Sequence, residues 1–261
     1  AEARSAQRAE GGAPVWSPPA GLPDMYLAMG QTAENVAQFK NVGRADQDEF
    51  AVRSQNLAEE SLNNGYWEAE ITPVETPDGL VTKDDGIRPG TTLEKVSSLA
   101  PAFRPDGTVT AGNACPLNDG AAAVVVMSDT KAKELGITPL ARIVSSAATG
   151  LNPEIMGLGP VEAVKKALGR AGMSVGDIDL FEINEAFAAQ VLPSAWELGI
   201  PMDKLNTRGG SIALGHPFGM TGARIMTTLI HNLAESDKTF GVETMCVGGG
   251  QGMAMVIERL S

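Results

Sequence analysis

Four short segments hold residue types that can do chemistry. The first is Asn184-Glu185-Ala186-Phe187, which follows an apolar stretch, Asp179–Ile183. In α/β sheets ligands bind at the carboxyl ends of strands, where an asparagine can orient a water or a carbonyl oxygen. It can equally cap the helix that follows, and local sequence favours the cap. The second is Asn206–Gly222, NTRGGSIALGHPFGMTG, in which glycines surround one histidine, His216. Glycine lets backbone approach a ligand closely. Pro217 stiffens the chain beside His216, and Gly219–Thr221 opens a helix whose dipole favours negative charge. The third is Cys246-Val247-Gly248-Gly249-Gly250-Gln251-Gly252. Glycines beyond the needs of a turn suggest backbone close to a substrate, with N–H groups that could hold an oxyanion. Cys246 would be a base or a nucleophile if its pKa were lowered, and otherwise an inert buried thiol beside a turn. The fourth is Thr110–Gly120, by itself a turn-rich loop around Cys115. His231 falls inside a helical pattern and reads as a surface or rim residue. With two His and two Cys, widely separated, no metal-ligand spacing occurs. No dinucleotide fingerprint and no P-loop is present.

These segments need elements to hold them. Ala141–Ala147, Asp179–Ile183, Gly241–Val247 and Met253–Ile257 read as strands. Ser128–Leu135, Val161–Ala171, Ala186–Leu198 and Ile225–Leu233 read as helices. Pro193 puts a kink or break in the third of these. Ala121–Met127 is a continuous apolar run, the mark of a strand buried on both faces. The residues before it offer few strands to pair with it, so its ladder partners would come from elsewhere. Upstream, a helix begins near Met29, with Thr32 as cap and Ala33, Val36 and Phe39 on one face. Another spans about Arg44 to Asn64, with Phe50, Val52, Leu57 and Leu62 apolar and Asn63-Asn64-Gly65 as its stop. Trp16–Pro23 reads as irregular chain and residues 70–112 as a decorated loop region. Strands alternating with helices predict an α/β architecture with both sheet faces covered.

Composition sets the outer limits. The 261 residues are 43% hydrophobic with a formal charge of -12. A core can form, and a broad nucleic-acid surface is disfavoured. No apolar run approaches a membrane span. Ala1–Gly12 lacks the apolar segment of a secretory signal. Two cysteines make no disulfide framework, so a cytoplasmic location is expected.

Taken in series, the segments resemble the thiolases. NEAFAAQ at 184–190, GGSIALGHPFGMTGARI at 209–225 and CVGGGQGMA at 246–254 look like that family's C-terminal signature blocks. TAGNACPLNDGAAA at 110–123 and MGQTAENVA at 29–37 fit as well. The resemblance implies a thiolase fold: layered α/β/α/β/α with duplicated halves and a loop domain, its N-terminal half incomplete here. Residues 1–117 would be the loop domain, 118–140 the end of the N-terminal domain and 141–261 the C-terminal domain. It implies reversible Claisen condensation and thiolytic cleavage of 3-ketoacyl-CoA. His216 would activate the nucleophilic thiol and Asn184 would hold a water in an oxyanion hole. Cys246 would move the α-proton of the acyl group, and the Gly248 N–H would serve a second oxyanion hole. Met29, Met156, Phe187, Phe218 and Cys115 would contact the acyl or pantetheine chain, and Arg88 would lie near the adenine of CoA. Coenzyme A would be substrate and product rather than a resident cofactor. A homodimer or homotetramer would be the assembly, with no nucleic acid and no membrane as partner. Neither cysteine has the family's C-x-S-G context for the acylated thiol, so that nucleophile is expected outside this chain. Cys115 stands where the family has a serine, Ala28 where many members have a histidine, and Arg208 where an asparagine is usual. Two other readings stand beside this one: a non-catalytic or partner-dependent CoA-binding subunit, and a Cys–His hydrolase built on Cys246 and His216.

Overall fold

In the computed structural model residues 20–261 are described. Ala1–Gly12 and the first part of Trp16–Pro23 lie outside them. The centre is a four-stranded sheet in the order β3-β6-β5-β4, with β3 Ala141–Gly150, β4 Leu180–Ile183, β5 Phe240–Val247 and β6 Gln251–Arg259. β4 and β5 run parallel, and β5–β6 and β6–β3 are antiparallel. Alternation along β6 decides what covers each face. Ala254 and Val256 join the core formed with Val161, Val164, Ala167 and Leu168 of helix α5, Gly159–Ala171. Met255 and Ile257 face Met226, Leu229 and Leu233 of helix α8, Thr221–Glu235. Both faces are therefore helix-covered, as the alternating pattern predicts. Among the described residues no helix is long and apolar enough to cross a membrane.

A helical layer abuts this unit: α1 Met29–Lys40, α2 Arg44–Asn63 and α6 Ala188–Leu198. Between α2 and the sheet lie a short exposed hairpin, β1 Val74–Thr76 with β2 Gly79–Val81, and two short helices, α3 Leu93–Ser97 and α4 Asp129–Leu135. Helix α2 buries polar residues as well as apolar ones: Gln47, Asp48, Ser54, Gln55 and Ser61 join Phe50, Ala51 and Ala58. Each is spent on structure. Asp48 pairs with Arg44 and accepts from Asn113 Nδ2, and Ser54 Oγ donates to Glu185.

Several expectations are corrected. Thr32 does not cap α1. Ala28 does, without a side-chain bond, and Thr32 Oγ1 donates to the Met29 carbonyl inside the first turn. Phe39 is exposed, and the buried stripe is Ala33, Val36 and Ala37. Helix α6 does not break at Pro193, and within it the Ser194 hydroxyl donates back to the Gln190 carbonyl at 2.8 Å. The Ala121–Met127 run is not a strand among the described residues, and Val125 and Val126 are 85% and 70% exposed. Without neighbouring strands its backbone has no ladder to join, and hydrophobicity alone cannot make a sheet.

Candidate active site

The parallel pair β4–β5 fixes the location. Its register sets Ile183 opposite Thr244, and the Asn184 N–H continues the ladder to the Thr244 carbonyl at 3.0 Å. The two strands run parallel toward the same end of the sheet, so Asn184 and Cys246 both lie near that end. This is the carboxyl end where α/β sheets bind ligands. The loop from 206 to 216 is folded onto it by Glu185, which is fully buried. Its carboxylate accepts from Ser54 Oγ, Asn206 Nδ2 and the Ile212 N–H at 2.6, 2.8 and 3.2 Å. Asn206, in a left-handed conformation at φ 44°, brackets β4 by pairing with both the N–H and the carbonyl of Ile183. Arg208 turns away from His216, stacking on Tyr66 and pairing with Glu235 at 2.8 Å.

His216 stands at the end of this loop, after the short helix α7, Ser211–Leu214. Its Nδ1 lies 2.7 Å from Thr221 Oγ1, and that hydroxyl donates to the Pro217 carbonyl at 3.0 Å. The His216 backbone N–H donates to Asn118 Oδ1, and its ring meets Phe218 edge-on at 5.1 Å. Asn184 Nδ2 sits 3.4 Å from Nδ1 and 3.3 Å from Nε2. Asn184 is therefore not a helix cap: Phe187 holds that position of α6 and makes no side-chain cap bond. Burial, with the Arg224 guanidinium second, lowers the His216 pKa to about 4. The ring is neutral at pH 7. A cleft of about 640 Å³ opens over it, lined by Leu117–Gly120 and His216–Gly219, and Phe218 is 71% exposed at its mouth.

Cys246 is 5% exposed and packs with Met156, Ala186 and Phe187. Cys115 reaches the same place, because its N–H donates to the Ala186 carbonyl at 3.0 Å. Phe187 meets Phe103 edge-on, and Phe103 lies against Gly30, next to Met29 on the rim. Burial pushes the Cys246 thiol up to about 12 and the Cys115 thiol up to about 11. Both are protonated at pH 7, so neither is a preformed thiolate nucleophile.

The Gly-rich turn after Cys246 divides its glycines between tasks. Gly249 and Gly250 take φ 85° and 88°, and a Cβ on Gly250 would lie 2.9 Å from Pro153 N. A Cβ on Gly252 would come within 2.7 Å of Gly159 Cα. Gly250 and Gly252 thus serve the turn and the packing of β6 against α5. Only Gly248 faces open space, with nothing within 4 Å of a Cβ built on it.

Arg88 is exposed on the loop that seats Ile87 against Ala213 and Leu214, so it borders the segment leading to His216. His231 is apart from the site, half-buried and paired with Glu70 at 3.6 Å.

Two buried carboxyls carry no signal in sequence. Glu182 and Glu243 face each other across β4 and β5, and both carboxyls are pushed up to about 8 by burial, which Arg224 only partly offsets. Their folded pKa lies above the unfolded value of 4.5. The folded chain therefore keeps protons that the unfolded chain has released, and stability falls as pH rises from about 4.5 to about 8. Glu243→Gln removes the charge but keeps the shape. It is expected to raise the thermal midpoint by several degrees at pH 9, at about 2–4 °C per kcal/mol for a chain of this size, and to change it little at pH 5. Thermal denaturation at the two pH values checks this, and an equal change at both would contradict it.

The family model for the thiolase N-terminal domain matches residues 16–130, and that for the thiolase C-terminal domain matches residues 137–259. The chain belongs to the thiolase family. Its thiolase relatives include proteins named probable acetyl-CoA acyltransferase. The one from Staphylococcus epidermidis is 48% identical over 246 residues, covering 92% of this chain and 62% of the relative. The Staphylococcus aureus protein is 49% identical with the same coverage. The chain therefore spans 62% of the length of these curated relatives. The crystal structure of the Bacillus anthracis acetyl-CoA acetyltransferase superposes with a TM-score of 0.87 at 46% identity, covering 92% of this chain and 62% of that one. Human mitochondrial 3-ketoacyl-CoA thiolase in complex with CoA gives 0.86 at 42% identity, covering 92% and 61%. The thiolase fold is thus shared across the matched length.

Proposed function

We propose that this chain supplies the acid–base half of a thiolase, acting on acyl-CoA and CoA in reversible cleavage and condensation of 3-ketoacyl-CoA. One observation carries the reading: Asn184 meets His216 just past the carboxyl end of β4, and Cys246 lies at the same end of the neighbouring strand β5. A Claisen condensation needs a group to move the proton of a weak carbon acid and donors for the enolate oxygen. Cys246, buried beside Met156 and Phe187, is the proton-moving group, and the backbone N–H of Gly248 is a donor. His216 takes the proton of the thiol that becomes acylated, and Asn184 offers an amide N–H beside it. Met29, Phe187, Met156, Cys115 and Phe218 line the path of the acyl and pantetheine chain, with Arg88 at the outer rim.

The acylated thiol comes from outside this chain. Both cysteines present are protonated and held in place by packing. Domains divided at about 117 and 140, a role in fatty acid metabolism, a cytoplasmic setting and a homo-oligomeric assembly belong to the same reading. The human relative solved with CoA supports CoA as the ligand. The test is intact mass after incubation with acetyl-CoA. No acetyl adduct on Cys115 or Cys246 is expected. An adduct mapped to Cys246 would replace this reading with a Cys–His hydrolase.

A further inference from the structure

The groups around His216 form a hydrogen-bonded series with a direction. Arg224 Nη2 donates to Ser211 Oγ at 2.8 Å, and Ser211 Oγ donates to Asn184 Oδ1 at 2.6 Å. Asn184 Nδ2 faces the ring, 3.3 Å from His216 Nε2 and 3.4 Å from Nδ1, and Nδ1 meets Thr221 Oγ1, whose proton goes to the Pro217 carbonyl. The two ends are fixed by chemistry. A guanidinium only donates and a carbonyl only accepts. Ser211 receives a bond from Arg224, so its single proton is spent on Asn184. That commits the Asn184 oxygen to Ser211 and aims its NH₂ group at the ring. At the other end Thr221 spends its proton on Pro217, so it must accept from Nδ1. Thr221 commits Nδ1 as the protonated nitrogen, and an Asn184 NH₂ group aimed at the ring then needs Nε2 bare to accept it. Among the described residues, Arg224 Nε and Nη1 are buried without a hydrogen-bond partner, so its bond to Ser211 is the one directed contact of this guanidinium.

We propose that Arg224, acting through Ser211 and Asn184, is a positioning residue that sets the tautomer of His216. Nε2 is thereby kept free of a proton and ready to take one from an incoming thiol. Glu182 and Glu243 on the sheet feel the guanidinium, which offsets part of the burial that keeps them protonated. Asn184 separates Arg224 from the ring, so the effect is one of orientation rather than contact. The inference rests on the reading of His216 as the proton acceptor. Its test is spectroscopic, so a failure of the relay and a failure of the thiolase assignment show separately.

The chain has two histidines, so ring signals are assigned by comparison with His231→Asn. Ring ¹⁵N shifts at pH 7.5 are expected to show His216 protonated at Nδ1 and bare at Nε2. Ser211→Ala and Arg224→Gln remove the directed end of the series, since alanine cannot donate and glutamine can also accept. In both, the Nε2 shift is expected to move well toward the protonated position, while the His231 signals stay in place. Ser211→Thr and Arg224→Lys keep the donors and are expected to restore a single tautomer. An Nε2–H tautomer in the parent chain would overturn the proposal outright. So would an unchanged Nδ1–H tautomer in either disruptive variant with dispersed backbone spectra, because Thr221 alone would then be sufficient. If one disruptive variant fails to fold, the other carries the test.

Discussion

Replacing His216 with alanine is expected to cut acyl transfer roughly a thousandfold, the scale of losing a positioned general base. The fold should survive, because the loop carrying His216 is held by Glu185 and Asn206 rather than by the ring. The effect is large because nothing nearby can substitute. Asn184, Ser211 and Thr221 do not titrate near neutral pH, and Arg224 carries only protons to donate. The lowered pKa of about 4 does not argue against the role. Its causes are burial and a neighbouring positive charge, and both weaken once a thiolate forms beside the ring as an ion-pair partner. Linkage gives a second signature. The folded pKa lies below the unfolded value of 6.5, so the unfolded chain binds the extra proton first. His216 therefore lowers stability as pH falls from about 6.5 to about 4, and His216→Ala should flatten that limb of the stability curve. The assay is thiolysis of a 3-ketoacyl-CoA, run with the acylated thiol supplied by the segment or partner that bears it. A loss below about tenfold would remove His216 from the chemistry, and His231→Asn is the control.

Much of this site was legible because its residues are packed into three blocks whose types are chemically unusual: a histidine among glycines, a cysteine before a glycine run and an asparagine after a strand. The fold was legible where a single sheet face dictated the pattern, as in β5, β6, α5 and α8. Legibility failed where a residue's role depends on a partner far away in sequence. Asn184 looks like a cap locally, and only the arrival of Ser211 and His216 from 27 and 32 positions away turns it into a bridge. Ser211 and Arg224 look like an ordinary helix start and a helix-face cation, and their alignment appears only when α7 and α8 fold over β4. Sequence likewise cannot show that Pro153 packs against Gly250 and Gly159 against Gly252. Ala121–Met127 failed for the same reason: a strand is a relation between segments, and its neighbours are not within this sheet.

The second large effect is expected at Cys246, and it separates two chemistries that the sequence alone leaves open. A cysteine that carries the acyl group and a cysteine that moves an α-proton both lose function when changed to serine, but at different steps. Cys246 is buried among Met156, Ala186 and Phe187 and held protonated, with its pKa pushed up to about 12 by burial. A thiol in that state is a poor resting nucleophile. As a thiol it can give its proton to the enolate that cleavage releases, and the thiolate left by that step is the base that removes an α-proton in the condensation direction. Cys246→Ser keeps the volume and a hydroxyl, so packing should hold, but serine gives up its proton far less readily. Exchange of α-protons of acetyl-CoA with D₂O should fall roughly a hundredfold or more, while acylation of the external thiol, read by intact mass, should persist. The opposite split, with exchange retained and acylation lost, would make Cys246 the acyl carrier. Cys115→Ser gives the contrast, because that position adjoins the same pocket through the Ala186 carbonyl without pointing a required proton at the substrate. Its change should alter KM more than turnover, the mark of a wall residue rather than a base.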